Sequence, residues 1–64
     1  MVAPRPLPAI GAPATRALAS IDVTTLDQLV DRSAAELLAL HGFGPRALRV
    51  VSEALDQVGL SLRT

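Results

Sequence analysis

Gly42-Phe43-Gly44-Pro45-Arg46 is the stretch best equipped for chemistry, with Arg49 close behind it. Two glycines around one apolar residue let the backbone turn tightly, visit positive φ and approach a neighbour closely. Pro45 suits the first position of an outgoing helix, where a missing N–H costs nothing. Such a helix start leaves unpaired amides, and its dipole favours an anion beside them. Arg46 and Arg49 are spaced to share one face of the first turn. Amides, a helix start and two guanidinium forks converge on one spot, and a phosphate oxygen is the ligand that suits them best.

The remaining polar residues are poorly arranged for catalysis. Ser20, Ser33, Ser52 and Ser61 lack a spaced His–Asp partner set, and His41 stands alone. The absence of Cys removes disulfide frameworks and thiolate metal sites, and one His does not make a zinc site. Asp22, Asp27 and Asp31 read as cap and surface residues. The expectation is a non-enzyme with no cofactor and no metal.

A plainer reading of Gly42-Phe43-Gly44 is an interhelical turn with Phe43 plugging the core. As the only aromatic residue, Phe43 reads as core rather than as a base-stacking residue. Arg46 just beyond Pro45, together with a related segment at Gly11, tilts the balance toward phosphate. Glu53 stands where it can pair with Arg49 and blunt its charge. Arg16 carries the same ambiguity. Arg32, beside Ser33, reads as a surface residue, and His41 as part of an exposed turn.

Composition bounds these readings. A chain of 64 residues makes one small domain. Such a domain buries only about 60% of its unfolded surface, so its core must be used well. Half of the residues are apolar, which argues for a fold rather than disorder. Six Arg balance six acids, and there is no Lys. Zero net charge counts against a strong non-specific polyanion binder but leaves room for main-chain amides and a local arginine cluster. No apolar run reaches membrane-spanning length. Met1-Val2-Ala3-Pro4-Arg5-Pro6 breaks the apolar core that a signal peptide needs, so the expected location is cytoplasmic. Met1 reads either as the start of a free-standing small protein or as an arbitrary boundary.

The elements that must position the glycines follow from spacing. Pro4, Pro6 and Pro8 predict an extended arm over 1–9. Pro13 sits in the first turn of a helix expected over about 12–20, with Ala14, Ala17, Leu18 and Ile21 as its apolar stripe. Asp22-Val23 is a connector. Thr24 with Asp27 predicts a cap for a helix at about 25–31. Ser33 and Glu36 form a capping box for a helix at about 34–40. The last helix, about 45–58, carries Leu48, Val51, Leu55 and Val58 at helical spacing. Gly59 is the expected left-handed residue beyond it, with Leu60 folded back on Leu55. The expected buried set is Leu18, Val23, Leu29, Leu38, Phe43, Leu48, Val51 and Leu55. Leu7-Pro8-Ala9-Ile10-Gly11 and Leu40-His41-Gly42-Phe43-Gly44 form a weak internal repeat, each copy preceding a helix. The pair suits two hairpins sharing one core.

Leu40-His41-Gly42-Phe43-Gly44-Pro45-Arg46 resembles the hairpin of helix-hairpin-helix domains: apolar-x-Gly-apolar-Gly, then a basic helix start. The helix order, the run Val30-Asp31-Arg32-Ser33-Ala34-Ala35-Glu36-Leu37-Leu38 and the ending Val58-Gly59-Leu60-Ser61-Leu62 are similar to the C-terminal domain of the bacterial RNA polymerase α subunit. The resemblance covers about residues 10–62. It implies an all-α, SAM-like bundle of four to five short helices with one or two helix-hairpin-helix motifs, forming a single domain over 10–62 after the arm. It also implies that hairpin amides and the following basic residue hold DNA phosphates along the minor groove without reading base sequence. Carried over, the DNA-binding candidates are Gly42, Gly44, Arg46, Arg49, Arg16 and Gly11. The first copy departs from the pattern. Ala9 stands in place of the first glycine, and Pro13 stands where the second copy has Arg46. Whether the first hairpin binds DNA stays open, and the family's promoter and activator roles are not carried over.

The functional expectation is non-catalytic, largely sequence-independent binding of duplex DNA by a monomer, nucleoid-associated if so. The alternative is a protein–protein module of the same fold, docking on a larger transcription or DNA-repair partner. Zero net charge and the altered first hairpin favour that alternative.

Overall fold

Each of four short helices contributes at least one side chain to a single aliphatic core. The computed structural model describes residues 5–63. Met1–Pro4 of the expected arm, and Thr64, lie outside the described residues. The elements are α1 (Ala12–Ala19), a 3₁₀ helix (Leu26–Asp31), α2 (Ala34–Leu38) and α3 (Pro45–Gln57). Among the described residues there is no strand. Two isolated bridges, Pro6 with Thr25 and Ser33 with Arg63, tie the chain ends to the 3₁₀ and α2 caps. The domain is all-α, and no described helix is long and apolar enough to cross a membrane.

Local chemistry accounts for each element. Gly11 precedes α1, Pro13 lies in its first turn, and Ala14, Ala17 and Leu18 form its buried stripe. Its exit is a Schellman arrangement. The Val23 amide donates to the Leu18 carbonyl at 2.9 Å and that of Asp22 to Ala19 at 3.0 Å. The left-handed residue there is Asp22, at φ 62, rather than a glycine. Thus Asp22-Val23 is the C-terminal stop of α1, which the sequence shows only as a connector. At α2 the expected box forms: Ser33 Oγ accepts from the Glu36 amide at 3.2 Å, and Glu36 Oε1 accepts from the Ser33 amide at 3.2 Å. At the end of α3, Gly59 has φ +76 and the Leu60 amide donates to the Leu55 carbonyl at 2.9 Å.

Three expectations are corrected. The segment after the connector is a 3₁₀ helix whose cap is Thr25, not Thr24 with Asp27. The Gln28 side chain reaches back and its Oε1 accepts from the amides of Thr24 at 2.6 Å and Thr25 at 3.1 Å. Asp27 is left to another partner. Leu38 is 45% exposed and Leu37 is fully buried. With only one and a half turns, α2 has a single inward face, and the next residue lies about 100° round from it. Leu48 is half-buried because α3 faces the core along Ala47, Val51 and Leu55, and Leu48 is one step round from that line.

Leu18, Leu29, Leu37, Val51 and Leu55 are the large side chains fully removed from water. Each contributes roughly 1.5–3 kcal/mol relative to exposure. Phe43, 4% exposed, closes the core from the α2–α3 turn. That burial fixes how the turn sits, and therefore how α3 begins.

Candidate functional site

The α2–α3 turn is set by Gly42. The Phe43 amide donates to the Leu40 carbonyl at 3.2 Å, and Gly42, third in that turn, has φ +93. These are the marks of a type II turn, whose third position favours glycine. Gly42 also backs onto Pro13 of α1, so closely that a Cβ would lie 3.0 Å from the Pro13 carbonyl oxygen. The two glycines therefore play different parts. Gly44 precedes α3 in an extended conformation, φ −108, with nothing within 4 Å of where a Cβ would sit. The positive φ allowed for at Gly44 is not used.

The two copies of the sequence repeat differ in the same way. In the first copy the positive φ falls on Gly11, at +89; in the second it falls on Gly42. Ala9, which matches Gly42, does not adopt it, because a Cβ makes that conformation costly. Both copies still deliver the chain into a helix from a glycine without a capping side chain.

Those two starts meet. An open depression of about 420 Å³ is lined by Ala9, Ile10 and Gly11 from the first copy and by Gly42, Gly44 and Arg46 from the second. Pro13, Ala14, Ala47 and Val50 complete the lining. Among the described residues, the amides of Gly42, Gly44, Arg46 and Ala47 have no acceptor, nor do those of Ala12 and Ala14. By contrast, Gln28 Oε1 accepts from the amides of Thr24 and Thr25 that lead into the 3₁₀ helix, and Ser33 Oγ accepts from the Glu36 amide in the first turn of α2.

The arginines divide along the same line. Arg5 pairs with Asp27 at 2.5 Å, Arg32 pairs with Glu36 at 3.4 Å, and Arg63 also pairs with Glu36. Arg16, Arg46 and Arg49 pair with no carboxylate among the described residues. The Arg49–Glu53 pair that spacing allows does not form. Arg46 borders the depression, and a shallower recess beside it is lined by Pro45, Arg46 and Arg49. Arg16 is exposed on α1 but lines neither recess. The structure thus brings Gly11, Gly42, Gly44 and Arg46 together, keeps Arg49 beside them, and leaves Arg16 outside.

The paired acids mark the opposite character. The Asp27 carboxyl is held below its ordinary value, first by the Arg5 backbone amide and then by the Arg5 side chain. Glu36 is lowered first by the Ser33 amide, with Arg63 and Arg32 adding to it. Arg32 is more than the surface residue its sequence position suggests. It is half-buried, and its Nη2 donates to the Ile21 carbonyl at 3.1 Å, satisfying the exit of α1. The pair with Glu36 is a local one, four residues on, but the Ile21 carbonyl lies eleven residues back and no local spacing announces it.

Uncapped amides beside unpaired guanidinium groups have the chemistry an anion requires: amides direct hydrogen bonds, and arginine presents a planar fork that matches a phosphate. No protein-family model, curated protein or solved structure matches this chain.

Proposed function

We propose that this protein is a non-catalytic binder of duplex DNA, a helix-hairpin-helix module that holds phosphates flanking the minor groove. The supporting observation is the coincidence of two partitions. The helices whose starts lack caps are α1 and α3, and the arginines without partners, Arg16, Arg46 and Arg49, are carried on those two helices. Arg5, Arg32 and Arg63 are held by Asp27 and Glu36, so among the described residues the guanidinium groups left free are those on α1 and α3. Contacts of this kind position a protein on DNA without specifying bases, so binding is largely sequence-independent.

In this reading the amides of Gly42, Gly44 and Arg46 take one phosphate, and the Arg46 and Arg49 side chains hold it or its neighbour. Gly44 carries no side chain, so a DNA backbone can approach the helix start closely. The first hairpin lends Gly11 and the uncapped start of α1, and it lacks a guanidinium at Pro13. A short duplex of random sequence, titrated at low salt and followed by amide NMR shifts, tests the proposal. Shifts centred on Gly42–Ala47 support it. No shift at any residue overturns it and favours the protein-docking module, which zero net charge also suits.

A further inference from the structure

The ion pair between Arg5 and Asp27 does not line the depression, but the chain it ties leads within a few residues into the lining. Arg5 is fixed at three atoms. Its amide donates to Asp27 Oδ2 at 3.1 Å, its Nη1 donates to Asp27 Oδ1 at 2.5 Å, and its carbonyl accepts from the Leu26 amide at 2.9 Å. Two of the three contacts belong to one carboxylate. Past Pro6, which bridges to Thr25, the chain runs through Leu7 and Pro8 to the wall residues Ala9, Ile10 and Gly11.

The run is short. A chain covers at most about 3.3–3.6 Å per residue, and Pro6 and Pro8 have fixed φ, so the position of Arg5 limits where Ala9 can go. Leu7 and Ile10 rest on the core, and Gly11 is anchored as the start of α1. The segment is therefore a strap pinned at both ends. Removal of the Asp27 pin leaves an N-terminal segment with one backbone bond and two apolar contacts, and weakly tied termini lose order first.

We infer that Asp27 is a positioning residue for the DNA site: by clamping Arg5 it holds Ala9–Gly11 as the wall facing Gly42, Gly44 and Arg46. The inference rests on the duplex-DNA reading above. It also gives the clamp a sign that charge alone does not. Deleting an acid raises the net charge by one, which by itself tightens binding to a polyanion. A lost wall weakens it.

The test compares the full chain with its Asp27→Ala and Asp27→Asn variants, at a temperature where circular dichroism shows all three folded. Asp27→Ala is expected to raise backbone mobility at Leu7, Ala9, Ile10 and Gly11, read as lowered heteronuclear NOE values, and to lower affinity for the short random duplex several-fold. Duplex-induced shifts at Gly42, Gly44 and Arg46 should persist, and those at Ala9–Gly11 should disappear. Asp27→Asn keeps one acceptor for the Arg5 amide and should recover part of the affinity. Should Asp27→Ala bind as tightly as the parent or tighter, the inference is overturned. Failure of the DNA reading looks different: the parent itself then binds no duplex, and the inference falls with it.

Discussion

Gly42 packs its bare α-carbon against the Pro13 carbonyl: a Cβ there would lie 3.0 Å from the oxygen and 3.4 Å from the carbon. This contact joins the α2–α3 turn to the first turn of α1, and it coincides with φ +93 at Gly42. Gly42→Ala therefore meets both a strained backbone and an unyielding neighbour. It should lower stability by about 1–3 kcal/mol. Gly44→Ala is the control. With φ −108 and open space around it, that change should cost no more than about 0.5–1 kcal/mol, the loss of a residue favoured at a helix cap. Thermal melts of the two variants check the difference. Equal losses would mean that the close approach of Gly42 to Pro13 does not govern stability.

Acid should loosen the chain ends before it melts the helices. Asp27 and Glu36 both titrate below their ordinary values in the folded protein, chiefly through the Arg5 and Ser33 amides. A depressed carboxyl contributes stability that is fully present above its unfolded value, about 4. The contribution is lost as pH falls through the lower, folded value. The melting temperature should be flat near neutrality and decline below about pH 4. Glu36→Gln should remove part of that decline, because Glu36 holds both Arg32 and Arg63. An unchanged acid limb in Glu36→Gln would remove Glu36 from the account.

What the sequence announces here is what its local chemistry determines. Ser33 and Glu36 are three apart, Gly59 follows a periodic helix, and Pro13 and Pro45 open helices; each signal and its effect lie within one turn. Leu37 and Leu38 are adjacent leucines, and only the direction of a short helix decides which is buried. Thr24 and Thr25 are equally good caps until Gln28 chooses between their neighbourhoods. At the site, a Gly-x-Gly pattern does not say which glycine needs positive φ; the packing on Pro13 decides for Gly42. The pairing of the arginines was the least legible feature. Arg5 finds Asp27 and Arg63 finds Glu36 across more than twenty residues of chain. No periodicity encodes that, yet it determines which arginines stay free.

Asp22 offers a gain in stability. It occupies the left-handed position of the α1 stop, φ 62, where Gly59 serves α3. An L-residue there costs roughly 1–2 kcal/mol, and glycine gives back about 0.5–1 through the entropy of its unfolded chain. Asp22→Gly should therefore stabilise the domain by about 0.5–1 kcal/mol, raising the melting temperature by roughly 2–8 °C. A lower melting temperature would show that the Asp22 side chain supports the turn.

The salt dependence of binding counts the arginines in use. Arg16, Arg46 and Arg49 are the unpaired ones among the described residues. If two or three phosphates are neutralised, log K should fall with log salt at a slope of roughly −2 to −3. Affinity should be weak and nearly the same for duplexes of different sequence. A slope near that of a six-contact protein would require the paired arginines to leave Asp27 and Glu36 on binding.

Arg46→Glu separates the site from the fold. Arg46 is exposed, has no carboxylate partner among the described residues, and follows the proline that opens α3. Surface substitutions of this kind move stability by about 0.5 kcal/mol or less. An acid in the first turn of a helix even suits its dipole. The melting temperature should therefore hold or rise slightly. Binding should fall severely, because a carboxylate placed among the Gly42, Gly44 and Arg46 amides occupies the role of the phosphate and repels it. Arg49→Glu lies next along the same face and should weaken binding less. Arg16→Glu, outside both recesses, should weaken it least. The order Arg46, Arg49, Arg16 is the prediction, and fluorescence anisotropy with a labelled duplex reads it. Three equal losses would point to diffuse attraction by net charge. A folded Arg46→Glu protein that binds like the parent would reduce the hairpin to a turn and leave the protein-docking module as the better reading.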